Sequence, residues 1–151
     1  MDHVMRIFFV VTLLLCTTVA WGEEKSDAAL IGCWRFDSGI SYLADGREIA
    51  AKTKCTAEYG KNRITSRCIG QNGSFIITYS YRISSPGIYE AEMLTHPGMP
   101  SAVGSRRLFE YEIKNNELHL TTYPQTNKPA PLNAAVKFVS RSTRDAKSCQ
   151  P

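Results

Sequence analysis

Phe75-Ile76-Ile77-Thr78-Tyr79-Ser80-Tyr81-Arg82-Ile83 alternates without interruption. Phe75, Ile77, Tyr79, Tyr81 and Ile83 fall on one face, and Ile76, Thr78, Ser80 and Arg82 on the other. A period of two with β-branched and aromatic residues specifies an antiparallel strand buried on one side. Working outward, Gly70-Gln71-Asn72-Gly73 and Ser84-Ser85-Pro86-Gly87 are turns that bound this strand. Similar units recur on either side: Leu30–Phe36, Ile40–Leu43 with Glu48–Ala50 across an Asp45-Gly46 turn, Lys54–Tyr59, Arg63–Ile69, Ile88–Leu94, Arg107–Ile113, Leu118–Tyr123 and Ala134–Ser140. Asp37-Ser38-Gly39 is expected to break the first of them, and Arg141–Pro151 to form a polar tail. Glu23–Ala29 reads as a loose leader or a single helical turn capping one end of the fold. Residues 95–104 and 124–133 are rich in proline and read as exposed loops. Short strands with frequent turns and no long amphipathic helix predict an all-β fold. Sequential hairpins favour an eight-stranded antiparallel up-and-down barrel over a sandwich, because closure removes the edge strands of such a meander.

Residues 1–22 have the layout of a secretory signal peptide. Arg6 precedes an apolar run from Ile7 to Cys16, and Ala20-Trp21-Gly22 ends it. The run is shorter than the roughly 20 residues needed to span a bilayer, so removal is expected rather than stable membrane insertion. Leu15 before Cys16 argues against a lipoprotein signal. Cleavage after Gly22 leaves 129 of the 151 residues, 23–151, a size for one domain with a real core. Arg6 and Asp2 leave together, so the net charge stays at +4. That excess is too small and too scattered for nucleic acid binding. Arg106, Arg107, Arg63 and Arg67 read as solvated strand faces rather than anion sites.

Four cysteines remain, an even number, which in an exported periplasmic or secreted domain predicts disulfides. A hairpin centred between Lys61 and Asn62 sets Tyr59 opposite Ile64, Ala57 opposite Ser66 and Cys55 opposite Cys68, within bonding reach. The remaining pair, Cys33 with Cys149, would fasten the C-terminal tail to the first strand. There is no Cys-x-x-Cys pair and only His96 and His119 could assist, so no metal is expected.

Gly32-Cys33-Trp34, the hairpin Arg107–Ile113 to Glu117–Thr122, and Ala135-Val136-Lys137-Phe138-Val139-Ser140-Arg141 together resemble the lipocalin-like families of the calycin superfamily, small exported bacterial barrels among them. The resemblance implies a lipocalin-like barrel in which Trp34 plugs the closed end and Arg141 lies across its indole. The short body and the lack of a C-terminal helix depart from typical lipocalins.

Catalysis needs a nucleophile with a base, a metal cluster or paired carboxylates. His119 lies between Leu118 and Leu120 on a strand and is expected to face outward; His96, beside Pro97, is expected to be the more accessible. Glu90 with Glu92, and Glu110 with Glu112, share strand faces as solvated residues do. The chain reads as a non-enzyme, without catalytic residues or cofactor, and as a monomer. Its expected role is binding a small apolar ligand, with Phe75, Ile77, Tyr79, Tyr81, Phe109 and Tyr111 as lining candidates. The alternative is a periplasmic protein-binding module, inhibitor-like or immunity-like, whose exported protein partner meets the 95–104 and 124–133 loops. A cavity above about 300 Å³ favours the first, and a packed interior with exposed apolar loop tips the second.

Overall fold

Period-two patterning yields nine strands in the computed structural model, which describes residues 26–124, 127 and 135–149. They are β1 (Gly32–Leu43), β2 (Glu48–Ala50), β3 (Lys54–Tyr59), β4 (Arg63–Gly70), β5 (Gly73–Ser85), β6 (Ile88–Thr95), β7 (Arg106–Lys114), β8 (Glu117–Thr122) and β9 (Ala135–Arg144). The leader expected over residues 1–22, and residues 125, 126 and 128–133 of the second long loop, lie outside the described residues. All pairings are antiparallel, and β1 joins β9 to close the sheet. β2 pairs only with the far end of β1, so the wall itself is an eight-stranded up-and-down barrel made by β1 and β3–β9.

Two expectations for the ends of the ladder are corrected. Asp37-Ser38-Gly39 does not break β1. Phe36 pairs with Ser142 and Ser38 with Arg141, so Asp37 is the extra residue of a β-bulge. The bulge changes which residues point inward: Trp34 and Phe36 before it, Gly39 and Ser41 after it. Gly39 is required by close approach, since a Cβ there would lie 2.6 Å from the Phe138 ring. Nor does β9 stop at Ser140; four further residues pair with β1 and β8, because the long β1 leaves backbone groups that only this strand can satisfy.

One end of the barrel is filled. Leu30, Trp34, Tyr59, Ile64, Tyr81, Tyr89, Ala91 and Leu118 form the buried cluster. A turn at residues 28–30 caps this end, with the amide of Leu30 bonded to the carbonyl of Asp27 (3.0 Å) and the Trp34 indole N–H donating to the Leu30 carbonyl (2.8 Å). Tyr111 donates to the Asp27 carboxylate at 2.6 Å, and Tyr81 to the Gly60 carbonyl at 2.6 Å.

The plug arginine is Arg144, not Arg141. The Arg144 guanidinium lies 4.3 Å from the centre of the Trp34 ring and donates to the carbonyls of Ile31 and Ala29. Arg141 is exposed, opposite Ser38 and His119. The reason is parity: Ser140, Ser142 and Arg144 share the inward face of β9, and Arg141 cannot join them. Gly32, at φ 131°, leaves the room that Arg144 uses; a Cβ there would meet its Nη1 at 3.1 Å.

Both disulfides are present, Cys55–Cys68 between directly opposed residues and Cys33–Cys149 holding the segment after β9 against β1.

Candidate binding chamber

β5 and β7 bring most of the candidate lining residues inside, but to different depths. Tyr81 and Tyr111 belong to the filled end, where their hydroxyls are already bonded. The aromatic stack continues through Tyr89, whose ring lies 4.7 Å from that of Phe109 and whose hydroxyl meets that of Tyr59 at 3.0 Å. Burial pushes the Tyr59 and Tyr89 phenols well above their ordinary value. Beside this cluster, towards Trp34, a cavity of about 150 Å³ remains.

Beyond it the barrel opens into a chamber of about 380 Å³, walled by Ile77, Tyr79, Met93, Phe109, Leu120 and Phe138 among others. Tyr79, Phe109, Leu120 and Ser140 line both spaces and therefore form the constriction between them. Phe75 sits apart, on a lateral cleft of about 960 Å³ that it shares with Phe36 and the Cys55–Cys68 disulfide. The cleft exists because β1 pairs with β3 only as far as Arg35–Thr56 and then with β2, so the wall parts below the bulge.

Besides Tyr79, six residues with polar side chains line the open chamber: Ser41, His96, Ser105, Arg107, Thr122 and Ser140. Arg107, expected as a solvated strand residue, is half-buried, because it follows the parity of Phe109, Tyr111 and Ile113. That alternation was the signal for its placement. Its neighbour Arg106 points outward and bonds Glu92 at 2.8 Å, which raises its pKa further. Inside, the charge of Arg107 offsets part of the burial that raises the Tyr79 phenol. His96 is less exposed than His119, against expectation, because its ring stacks on Phe75 at 5.9 Å. Ser105 is buried where the 96–104 segment returns to β7, its backbone carbonyl accepting from the Met93 amide at 3.0 Å. Arg107 Nε, His96 Nδ1 and Ser105 Oγ are buried without a hydrogen-bond partner.

The 96–104 segment carries one 3-10 turn, Pro100–Ala102, with Met99 and Val103 exposed. Asn127, a described residue of the second loop, ties to it by accepting from the Arg106 amide and donating to the Gly104 carbonyl, both at 2.8 Å. Among the described residues no three His, Cys, Asp or Glu side chains are grouped to hold a metal, and no helix is long and apolar enough to cross a membrane.

No protein-family model and no curated protein matches the chain. Among solved structures it is similar to a lipocalin-like protein from Bacteroides uniformis, with a TM-score of 0.51 and 13% identity over 78% of this chain and 99% of the other. An uncharacterized protein from Bacteroides eggerthii aligns with a TM-score of 0.47 and 12% identity over 75% of this chain and 98% of the other. The fold is lipocalin-like.

Proposed function

We propose that this chain is an exported, non-catalytic binding protein that takes a small, mainly apolar molecule into the open half of its barrel. The chamber beyond the Tyr79–Phe109 constriction carries this reading. At about 380 Å³ it falls within the range of small-molecule sites, and its wall is chiefly aliphatic and aromatic. The lipocalin-like fold is consistent with a binding role. Two disulfides support an oxidising compartment, the periplasm or the outside of the cell. Recognition of a protein partner through the 95–104 and 124–133 segments is the weaker reading, since Met99 lies on the rim of the chamber and its exposure follows from the opening.

The test is titration with an environment-sensitive apolar dye. The expected result is saturable fluorescence enhancement at one site, abolished in Ile77→Trp, whose indole would fill the chamber, while circular dichroism and melting temperature stay near those of the parent. A response that survives Ile77→Trp in a folded protein places the dye elsewhere and removes the proposal.

A further inference from the structure

We propose that the lateral cleft receives an extended, acidic segment of another protein, added as a strand where β1 and β3 part, and that Lys52 and Lys54 hold its carboxylates. The site lies outside the chamber and does not depend on the binding role proposed above. β1 stays in register with β3 as far as Arg35 and Thr56, and meets β2 only from Ile40 with Ala50 onward. Residues 36–38 therefore have β9 on one side and no strand on the other. Across the gap, Lys54 and Cys55 pair with Ile69 and Cys68 of β4, but no residue of β1 is in register with them. Two banks of strand backbone thus border one cleft of about 960 Å³. An open strand edge of this kind is a template for a further strand.

Side chains of a strand alternate between two faces, so an added segment presents one set to the floor of the cleft and the other to its lips. The floor is Phe36, Phe75 and the Cys55–Cys68 disulfide, which suit an apolar side chain. The lips carry Arg35, Lys52, Lys54 and Arg67 against one carboxylate, Asp37. Asp37 is already engaged, accepting from the Thr143 hydroxyl at 2.6 Å and lying 3.6 Å from Arg35. Arg35 also reaches Asp145 at 3.4 Å, and Arg67 reaches Glu58 at 3.3 Å. Lys52 and Lys54 are exposed and have no carboxylate within ion-pair distance among the described residues. Lys54 and Arg67 stand directly across from Ile69 and Ile76, both exposed, so the outer lip offers apolar contact between its charges. Lysines at an open edge repel a second copy of the same edge and attract a strand that carries carboxylates. The occupant that suits floor and lips together is a segment in which apolar residues alternate with aspartate or glutamate.

The probe is a capped peptide that alternates glutamate with valine and phenylalanine, titrated by calorimetry into the full mature protein. Its controls are the analogue with lysine in place of glutamate and a version with N-methylated backbone amides, which cannot join a ladder. At low salt the glutamate peptide should bind at least about tenfold tighter than the lysine analogue, and the N-methylated version should lose binding. The double variant Lys52→Glu with Lys54→Glu changes two exposed side chains, so the fold should persist by circular dichroism while the order of the two peptides reverses. Hydrogen exchange of the parent complex should gain protection over residues 36–38 and 52–55. Equal binding of the three peptides, or binding of none, overturns the proposal. A preference for glutamate that survives the double substitution in a folded protein places the carboxylates elsewhere and also overturns it, as does protection confined to the chamber strands. A dimer in sedimentation, with residues 36–38 and 52–55 protected in the absence of peptide, assigns the edge to a second copy of the chain and overturns the acidic partner.

Discussion

Arg141 and Arg144 stand three residues apart on β9, and that odd spacing puts them on opposite faces of the wall. Only Arg144 covers Trp34, and it also donates to two carbonyls of the capping segment. A cation-π contact of this kind contributes ~0.5 to 2 kcal/mol. Arg144→Ala is therefore expected to lower unfolding stability by about 1 to 2 kcal/mol, while Arg141→Ala stays within about 0.5 kcal/mol. Urea denaturation of the two variants checks this, and an equal loss in both would place the plug contact elsewhere. The resemblance implied an arginine over the indole but pointed to Arg141 rather than Arg144. Its position depends on the Asp37 bulge and on how far β9 continues, and neither is written in the residues around Trp34.

At the scale of elements, hairpins were the most legible part of the chain, because a turn and the residues flanking it set a register with no help from distant strands. Counting outward from Lys61 and Asn62 pairs Cys55 with Cys68, as the structure has it. The two disulfides constrain the unfolded chain unequally, with sequence separations of 13 and 116. The chain-entropy model assigns them about 3 and about 5 kcal/mol. Cys149→Ser should then depress the denaturation midpoint more than the paired Cys55→Ser and Cys68→Ser change, and the reverse order would show that native contacts, not loop closure, govern both. The bulge was not legible for the opposite reason. Asp-Ser-Gly has turn chemistry, but the continuous ladder to β9 overrides it, with Thr143 donating to the Asp37 carboxylate at 2.6 Å.

For the whole molecule, closure of β1 on β9 divides the interior into a filled end and an open one. The filled end holds Tyr59 and Tyr89, neutral and bonded to each other, with Tyr111 bonded to Asp27. Burial raises all three phenols above the ordinary value of 10.0. The folded barrel therefore keeps protons that the unfolded chain releases, so stability is full below about pH 10 and falls as pH rises from there through the folded-state values. An alkaline titration read by tyrosinate absorbance and far-ultraviolet circular dichroism should show these tyrosines ionising together with the loss of sheet. Ionisation of every tyrosine near its ordinary value with the sheet intact would contradict this. Strand class, the inward sets of β5 and β7, one disulfide register and the closed meander were determined by the sequence alone, since alternation and turn chemistry act over a few residues. The tertiary structure alone decided which arginine caps Trp34, that Tyr81 and Tyr111 fill the closed end while Ile77 and Phe109 border open space, and that Arg107, His96 and Ser105 line one chamber. Whether an interior is filled or left open depends on the summed volumes and directions of side chains from strands far apart in the chain, and that sum exists only once the barrel has closed.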